Sequence, residues 1–201
     1  MKNIAAFRNV TPGAKLAMVN NKLGNPGLKR NQGSSVEVYD YVKVTPGTAG
    51  VVRFFDAVNT KVFPFTNIQQ NQLQVGEALA IEYIAFTRIV VKAGGVISNF
   101  DALTDSLNSL SLCGFSFLLD NSRTVKNNSL TRSFQTLNTK GGTALNSLFY
   151  PDTDLTIPPQ ISFTAELNVP ANPDTASEGE SVYYGIHLFG TGAILNLKSN
   201  V

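Results

Sequence analysis

The chain is short of the residues on which most enzyme chemistry rests. Among 201 residues it has one cysteine, one histidine and no tryptophan, and only 15% of its residues are charged. One cysteine, Cys113, excludes an internal disulfide and any multi-cysteine metal site. Its setting, Leu112-Cys113-Gly114-Phe115, suits an inert core thiol. One histidine, His187, excludes a His-rich metal centre and leaves a single residue that could serve a Ser-His-Asp relay. His187 lies opposite in phase to Ile186 and Leu188, and no GxSxG elbow accompanies it, so it reads as a structural residue. GxxxxGK and strand-linked GxGxxG phosphate loops are also missing, which leaves nucleotide chemistry without a foothold.

Long apolar runs are absent as well. Lys2 and Arg8 bracket only five residues, too few for the apolar stretch of a secretory signal, and no segment reaches the ~18 apolar residues of a membrane span. Without a secretion signal the sequon Asn127-Asn128-Ser129 carries little meaning. Asp152 and Asp154 could offer oxygen ligands to Ca²⁺, but the acids and glycine of an EF-hand loop do not follow, and a solvated turn before Pro158-Pro159 is expected. Glu77, Glu82 and Glu166 are the carboxylates that spacing alone cannot pair for glycosidase work. The expectation is no catalytic residue, no cofactor and no metal.

What is present is neutral polarity: 20 Asn, 17 Thr and 15 Ser. Amides and hydroxyls cost less to desolvate than ions and can pair with whatever faces them, so the surface suits contact with other protein surfaces. The charge is also unevenly placed. The first 34 residues contain Lys2, Arg8, Lys15, Lys22, Lys29 and Arg30 and no acid, whereas residues 141–201 carry six acids against Lys198. Those six basic residues are the candidate contact residues, either to nucleic acid by neutralising phosphates or to a neighbouring subunit. They are spaced out among Ile4, Phe7, Leu16, Met18, Val19, Leu23 and Leu28, which favours docking along protein.

The pattern divides at residue 35. Residues 1–34 have no sustained period and hold Thr11-Pro12-Gly13 and Gly24-Asn25-Pro26-Gly27, both turn-forming, so they read as an extended arm. Residues 35–201 are dominated by period-two alternation. Val36, Val38, Asp40 and Val42 alternate with Glu37, Tyr39, Tyr41 and Lys43. Further strands are expected at 50–56, 61–65, 74–91, 113–119 and 129–137. At 161–169 the alternation of Ile161, Phe163, Ala165, Leu167 and Val169 with polar residues is unbroken. Val182, Tyr184, Ile186 and Leu188 repeat the device, and a turn at Gly190-Thr191-Gly192 would lead to a last strand at 192–197. That makes eight or nine strands. Phe100, Leu103, Leu107 and Leu110 recur at helical spacing behind a capping box at Ser98 and Asp101, which predicts one short inserted helix. Segments 138–147, 150–160 and the acidic 170–180 read as exposed loops. One helix among many strands argues for an all-β antiparallel sandwich or barrel.

The stretch Phe54-Phe55, Phe63-Pro64-Phe65-Thr66-Asn67 and Asn71-Gln72-Leu73-Gln74-Val75-Gly76-Glu77-Ala78-Leu79 resembles a strand, loop and strand of capsid proteins from tailless icosahedral bacteriophages. Together with the basic arm and Asn/Thr-rich body, the chain is similar to jelly-roll coat proteins, and its length suits a single rather than a double jelly roll. The resemblance implies a virion structural protein, made in the host cytoplasm, that self-assembles with copies of itself and with other virion proteins. It carries over no site residue. The alternative class is a phage spike, fibre or carbohydrate-binding β-sandwich; an enzyme on a β scaffold is the third.

Overall fold

In a computed structural model, the structure describes residues 34–57, 60–75, 77–102, 113–120, 123–130, 135–138, 144–149, 155–169 and 176–193. Eleven strands are found there and no helix. They are β1 (Ser34–Val44), β2 (Gly50–Phe54), β3 (Ala78–Val91), β4 (Ile97–Ala102), β5 (Gly114–Leu119), β6 (Arg123–Leu130), β7 (Gln135–Asn138), β8 (Ala144–Phe149), β9 (Leu155–Ile157), β10 (Phe163–Val169) and β11 (Ser181–Ala193). They form two antiparallel sheets. The larger runs β1-β11-β3-β8-β7, with β4 and β9 also pairing with β3, and the smaller runs β2-β10-β5-β6.

Alternation explains the layering. Every second residue of a strand faces the same way, so Val36, Val38, Val42 and Val44 of β1, Ile84 and Phe86 of β3, and Val182, Tyr184, Ile186 and Leu188 of β11 point inward. They meet Phe54, Phe115, Phe117, Phe163, Ala165, Leu167 and Val169 of the smaller sheet in one continuous core. Phe86 joins the layers, its ring 6.4 Å from that of Phe54 and 5.3 Å from that of Phe115. Cys113 is fully buried in this core, and burial pushes its thiol pKa up to about 12, as expected of an inert core cysteine.

Several expectations are corrected. The start of the expected helix is strand: β4 pairs antiparallel with β3, with Phe100 opposite Ile89 and Asp101 opposite Arg88. Ser98 and Asp101 therefore sit within a strand rather than at a helix cap. The cause is the turn before it, where Gly94 (φ 88°) and Gly95 (φ 80°) adopt the left-handed conformation and Lys92 N–H donates to Val96 O at 2.8 Å. That turn returns the chain along β3, and sheet pairing overrides a local helical spacing. Leu103, Leu107 and Leu110 lie outside the described residues.

Gly190-Thr191-Gly192 makes no turn, because β11 runs through it. These glycines permit close backbone approach: a Cβ on Gly190 would collide with the Ala80 carbonyl and one on Gly192 with the Ala78 carbonyl. The strand expected at 61–65 is a bent segment; Phe65 O accepts from Tyr41 N–H, and Thr66 just beyond it makes an isolated bridge to Asp40. Instead of one strand at 129–137, β6 ends at Leu130 and β7 begins at Gln135. The loops expected at 138–147 and 150–160 contain the start of β8 and the whole of β9, whose Leu155 and Ile157 are buried against β3. The arm also loses its last residue, since Ser34 opens β1 opposite Gly192.

Candidate functional site

The outward face of the larger sheet carries the polar groups that the sequence scatters over 150 positions. Register sets Glu37 of β1 beside Phe189 of β11 and Tyr83 of β3, then Tyr39 beside His187 and Ala85, then Tyr41 beside Gly185 and Thr87. His187 stands at the centre. Its Nδ1 lies 2.5 Å from Glu37 Oε1, and its Nε2 lies 3.0 Å from Tyr41 Oη and 2.9 Å from Thr87 Oγ1. The Thr87 hydroxyl donates to Tyr41 Oη at 3.1 Å. Burial pushes the Tyr41 pKa up to about 12, with the negative charge of Glu37 adding to it against the Thr87 hydrogen bond. Tyr41 thus keeps its proton and can donate it to Nε2, while Nδ1–H is held by Glu37; one arrangement of hydrogens satisfies the whole chain of groups.

Gly185 is required by this packing. A Cβ there would collide with the Tyr41 ring and come within 2.6 Å of Thr87 Oγ1. The rings stand on edge in a row. Tyr83 stacks on Phe189 with centroids 4.6 Å apart, Phe189 on His187 at 5.9 Å, and His187 on Tyr39 at 5.6 Å. Their faces are turned to one another, so the row presents ring edges outward. Tyr41→Phe removes one hydroxyl from this network, and a loss of about 1 kcal/mol in unfolding free energy is expected, measured by urea titration.

A carboxylate on Nδ1 and a hydroxyl on Nε2 is the connectivity of an acid–base–nucleophile relay. Here the hydroxyl belongs to Thr87, which is buried, and the nitrogen is shared with Tyr41. The geometry locks side chains against one another.

Beside this cluster, β3 carries an extra residue. Tyr83 faces Phe189 and Ile81 faces Gly190, so the register skips Glu82. A bulge of this kind re-aims side chains. Around it lies a shallow groove of about 250 Å³, lined by Ser35, Val36, Glu37, Glu82, Tyr83, Phe189 and Gly190. Glu82 accepts a hydrogen bond from Thr191 Oγ1 at 2.9 Å.

The other carboxylates are dispersed. Glu77 closes the turn before β3, accepting from Gln74 N–H at 2.8 Å, and Glu166 pairs with Arg53 at 2.7 Å on the smaller sheet. Glu77, Glu82 and Glu166 therefore form no common site. Among the described residues no group of three His, Cys, Asp or Glu side chains is placed to hold a metal. No helix among them is long and apolar enough to cross a membrane. Asn127-Asn128-Ser129 falls within β6. Lys2, Arg8, Lys15, Lys22, Lys29, Arg30, Asp152 and Asp154 lie outside the described residues.

One buried charge went unnoticed in the sequence. Asp40 occupies an inward position of β1 and is fully buried. Its Oδ2 accepts from Lys61 Nζ at 2.7 Å and from Phe55 N–H at 2.8 Å. The signal was there: an acid where β1 otherwise places valine. Around it Tyr41 N–H donates to Phe65 O at 2.7 Å, and Asn67 Nδ2 donates to Glu37 O at 2.7 Å, so the segment from Lys61 to Asn67 closes the outer edge of β1.

A scan of protein-family models finds no match to this chain, and a search of curated proteins finds no relative.

Proposed function

We propose that the protein is a structural subunit of an icosahedral virion, a single jelly roll that assembles with copies of itself. The observation that carries this reading is the nested pairing of strands. β1 pairs with β11, β2 with β10, β3 with β8 and β9, and β5 with β6. Such nesting is what results when one long antiparallel hairpin is rolled into two facing sheets, the jelly-roll arrangement found in many coat proteins.

The surface supports the same reading. Val51, Val62, Phe63, Val75, Val96 and Ile97 are exposed, most of them in loops or at strand ends, with Val62 at 66% and Val75 at 73%. Together with a body of low charge they suit many modest contacts with neighbours. Phe189 and His187 turn both ring faces to neighbouring rings, which leaves them no face for a sugar to stack on and disfavours a glycan-binding spike or fibre module. The His187 cluster is read as a brace across β1, β11 and β3, and the protein as a mechanical part rather than an enzyme.

The test is mass in solution and electron microscopy of the purified chain. Shells, sheets or ring-like clusters are expected. Removing residues 1–33, which leaves β1 whole, should weaken assembly while the β body still unfolds cooperatively. A dispersed monomer under all assembly conditions would overturn the reading.

A further inference from the structure

β1 and β2 are edge strands, one in each sheet, and their free sides are finished differently. That of β1 is closed by the chain itself: Phe65 O accepts from Tyr41 N–H at 2.7 Å, and the Asn67 side chain accepts from Tyr39 N–H at 2.9 Å and donates to Glu37 O at 2.7 Å. That of β2 is open. Among the described residues its one strand neighbour is β10, a Cβ added to Gly50 would meet nothing within 4 Å, Val51 is 59% exposed and the Arg53 side chain 63% exposed. An edge strand turns a row of backbone N–H and C=O groups away from its sheet, and proteins commonly guard it with a lysine, a proline, a bulge or a covering segment. β2, Gly50-Val51-Val52-Arg53-Phe54, has no lysine and no proline, and it pairs with β10 without a bulge. Its one charge, Arg53, is neutralised by Glu166 at 2.7 Å.

We propose that β2 is a docking edge for β2 of a second copy, the two strands pairing antiparallel about a twofold axis at Val52. That register uses the whole strand: Gly50 faces Phe54 of the other copy, Val51 faces Arg53, and Val52 faces its own equivalent. The Arg53 guanidinium is held by Glu166 of its own chain, so its aliphatic stem is what covers Val51 across the axis. No like charges oppose each other. An axis at Arg53 would set two guanidinium groups face to face, and directly opposed like charges are unfavourable. Pairing at Val52 joins two four-stranded sheets into one continuous sheet. One short strand from each copy buries less than the roughly 1,000 Å² of a stable interface, so the contact forms at high concentration or beside other contacts. It rests on the self-assembly of the proposed function and would be one of its many modest contacts.

Disulfide cross-linking at high protein concentration tests it, with Val51→Cys and Arg53→Cys made in separate full-length chains. Residues directly opposite in an antiparallel pair have Cβ atoms about 5 Å apart, and diagonal ones about 7–8 Å. On mild oxidation an equimolar mixture of the two variants is therefore expected to give roughly tenfold more linked dimer than either variant alone. Cys113 is fully buried and stays out of the reaction. Val51→Lys, which sets a lysine opposite Arg53 twice in each dimer, should raise the concentration of half-association about tenfold, whereas Val51→Glu should leave it unchanged or lower it, both read by sedimentation. Both positions are exposed, and circular dichroism checks folding; should a cysteine variant misfold, the lysine and glutamate variants decide. Equal cross-linking in the mixture and the single variants, no cross-linking in any sample, or equal weakening by lysine and glutamate overturns the proposal. Electron microscopy of the same samples separates it from the capsid reading: shells without the mixed disulfide overturn this contact and leave that reading standing, and mixed dimers that never build larger particles do the reverse.

Discussion

Lys61→Met is expected to destabilise the protein by about 3 kcal/mol at neutral pH, because it strips the counter-charge from a carboxylate that has no access to water. Asp40 is fully buried, and burial holds its carboxyl above the usual range even though the hydrogen bond and charge of Lys61 and the Phe55 amide pull it down. A carboxyl raised in the folded state binds its proton more tightly there than in the unfolded chain. Its contribution to stability is fully present below the unfolded value near 4 and is lost as pH rises through the raised folded value. Without Lys61 the folded value rises further, so the deficit of the variant should shrink on acidification toward about pH 4.5. Adding Asp40→Asn should recover most of the loss at neutral pH, since the amide oxygen still accepts from Phe55 N–H. Urea unfolding of wild type, single and double variants at both pH values checks this. A deficit independent of pH would mean that Lys61 acts through packing alone.

Gly190→Ala should be comparably severe. The new methyl would meet backbone, the Ala80 carbonyl, which cannot rotate away as a side chain can. β3 and β11 would have to separate at the bulge, and overpacking against backbone belongs at the upper end of the usual range, about 3 kcal/mol. In a chain of 201 residues that lowers the melting temperature by roughly 10 °C. Gly50 is the control: its added Cβ would meet nothing within 4 Å, so Gly50→Ala should melt within a few degrees of wild type.

Residues that repeat locally made the fold legible. Phe163 to Val169 alternate apolar and polar without a break and form β10, and Val36, Val38 and Val42 mark the inner face of β1 just as well. Where two periods fit the same letters, the neighbouring strand decides: Phe100 fits a helical spacing, but the left-handed turn at Gly94 and Gly95 pairs Ile97–Ala102 with β3, while Leu103, Leu107 and Leu110 lie outside the described residues. β9 is three residues long, too short for any period to register. At Gly190 and Gly192, glycine meant backbone proximity rather than a turn, a distinction that depends on the strand lying opposite.

The site was half visible. The phase of His187 against Ile186 and Leu188 placed it on the outer face, and Glu37, Tyr39 and Tyr41 shared the polar phase of β1. Nothing local says that these phases meet, because Glu37 and His187 are 150 positions apart and only the β1–β11 register joins them. Gly185 was the overlooked clue, a side-chain-free position opposite Tyr41 in an otherwise bulky strand.

The same nesting has a bearing on when the molecule becomes itself. β11 lies between β1 and β3, so the edge strand β1 has no partner in the larger sheet until β11 arrives. Its arrival joins Ser34 to Gly192, among the most distant partners in the chain. Long-range pairing of this kind is slow, and it cannot begin before β11 has been made. The outward surface spanning β1, β11 and β3 is therefore incomplete until synthesis has passed β11, and it is then closed in one event.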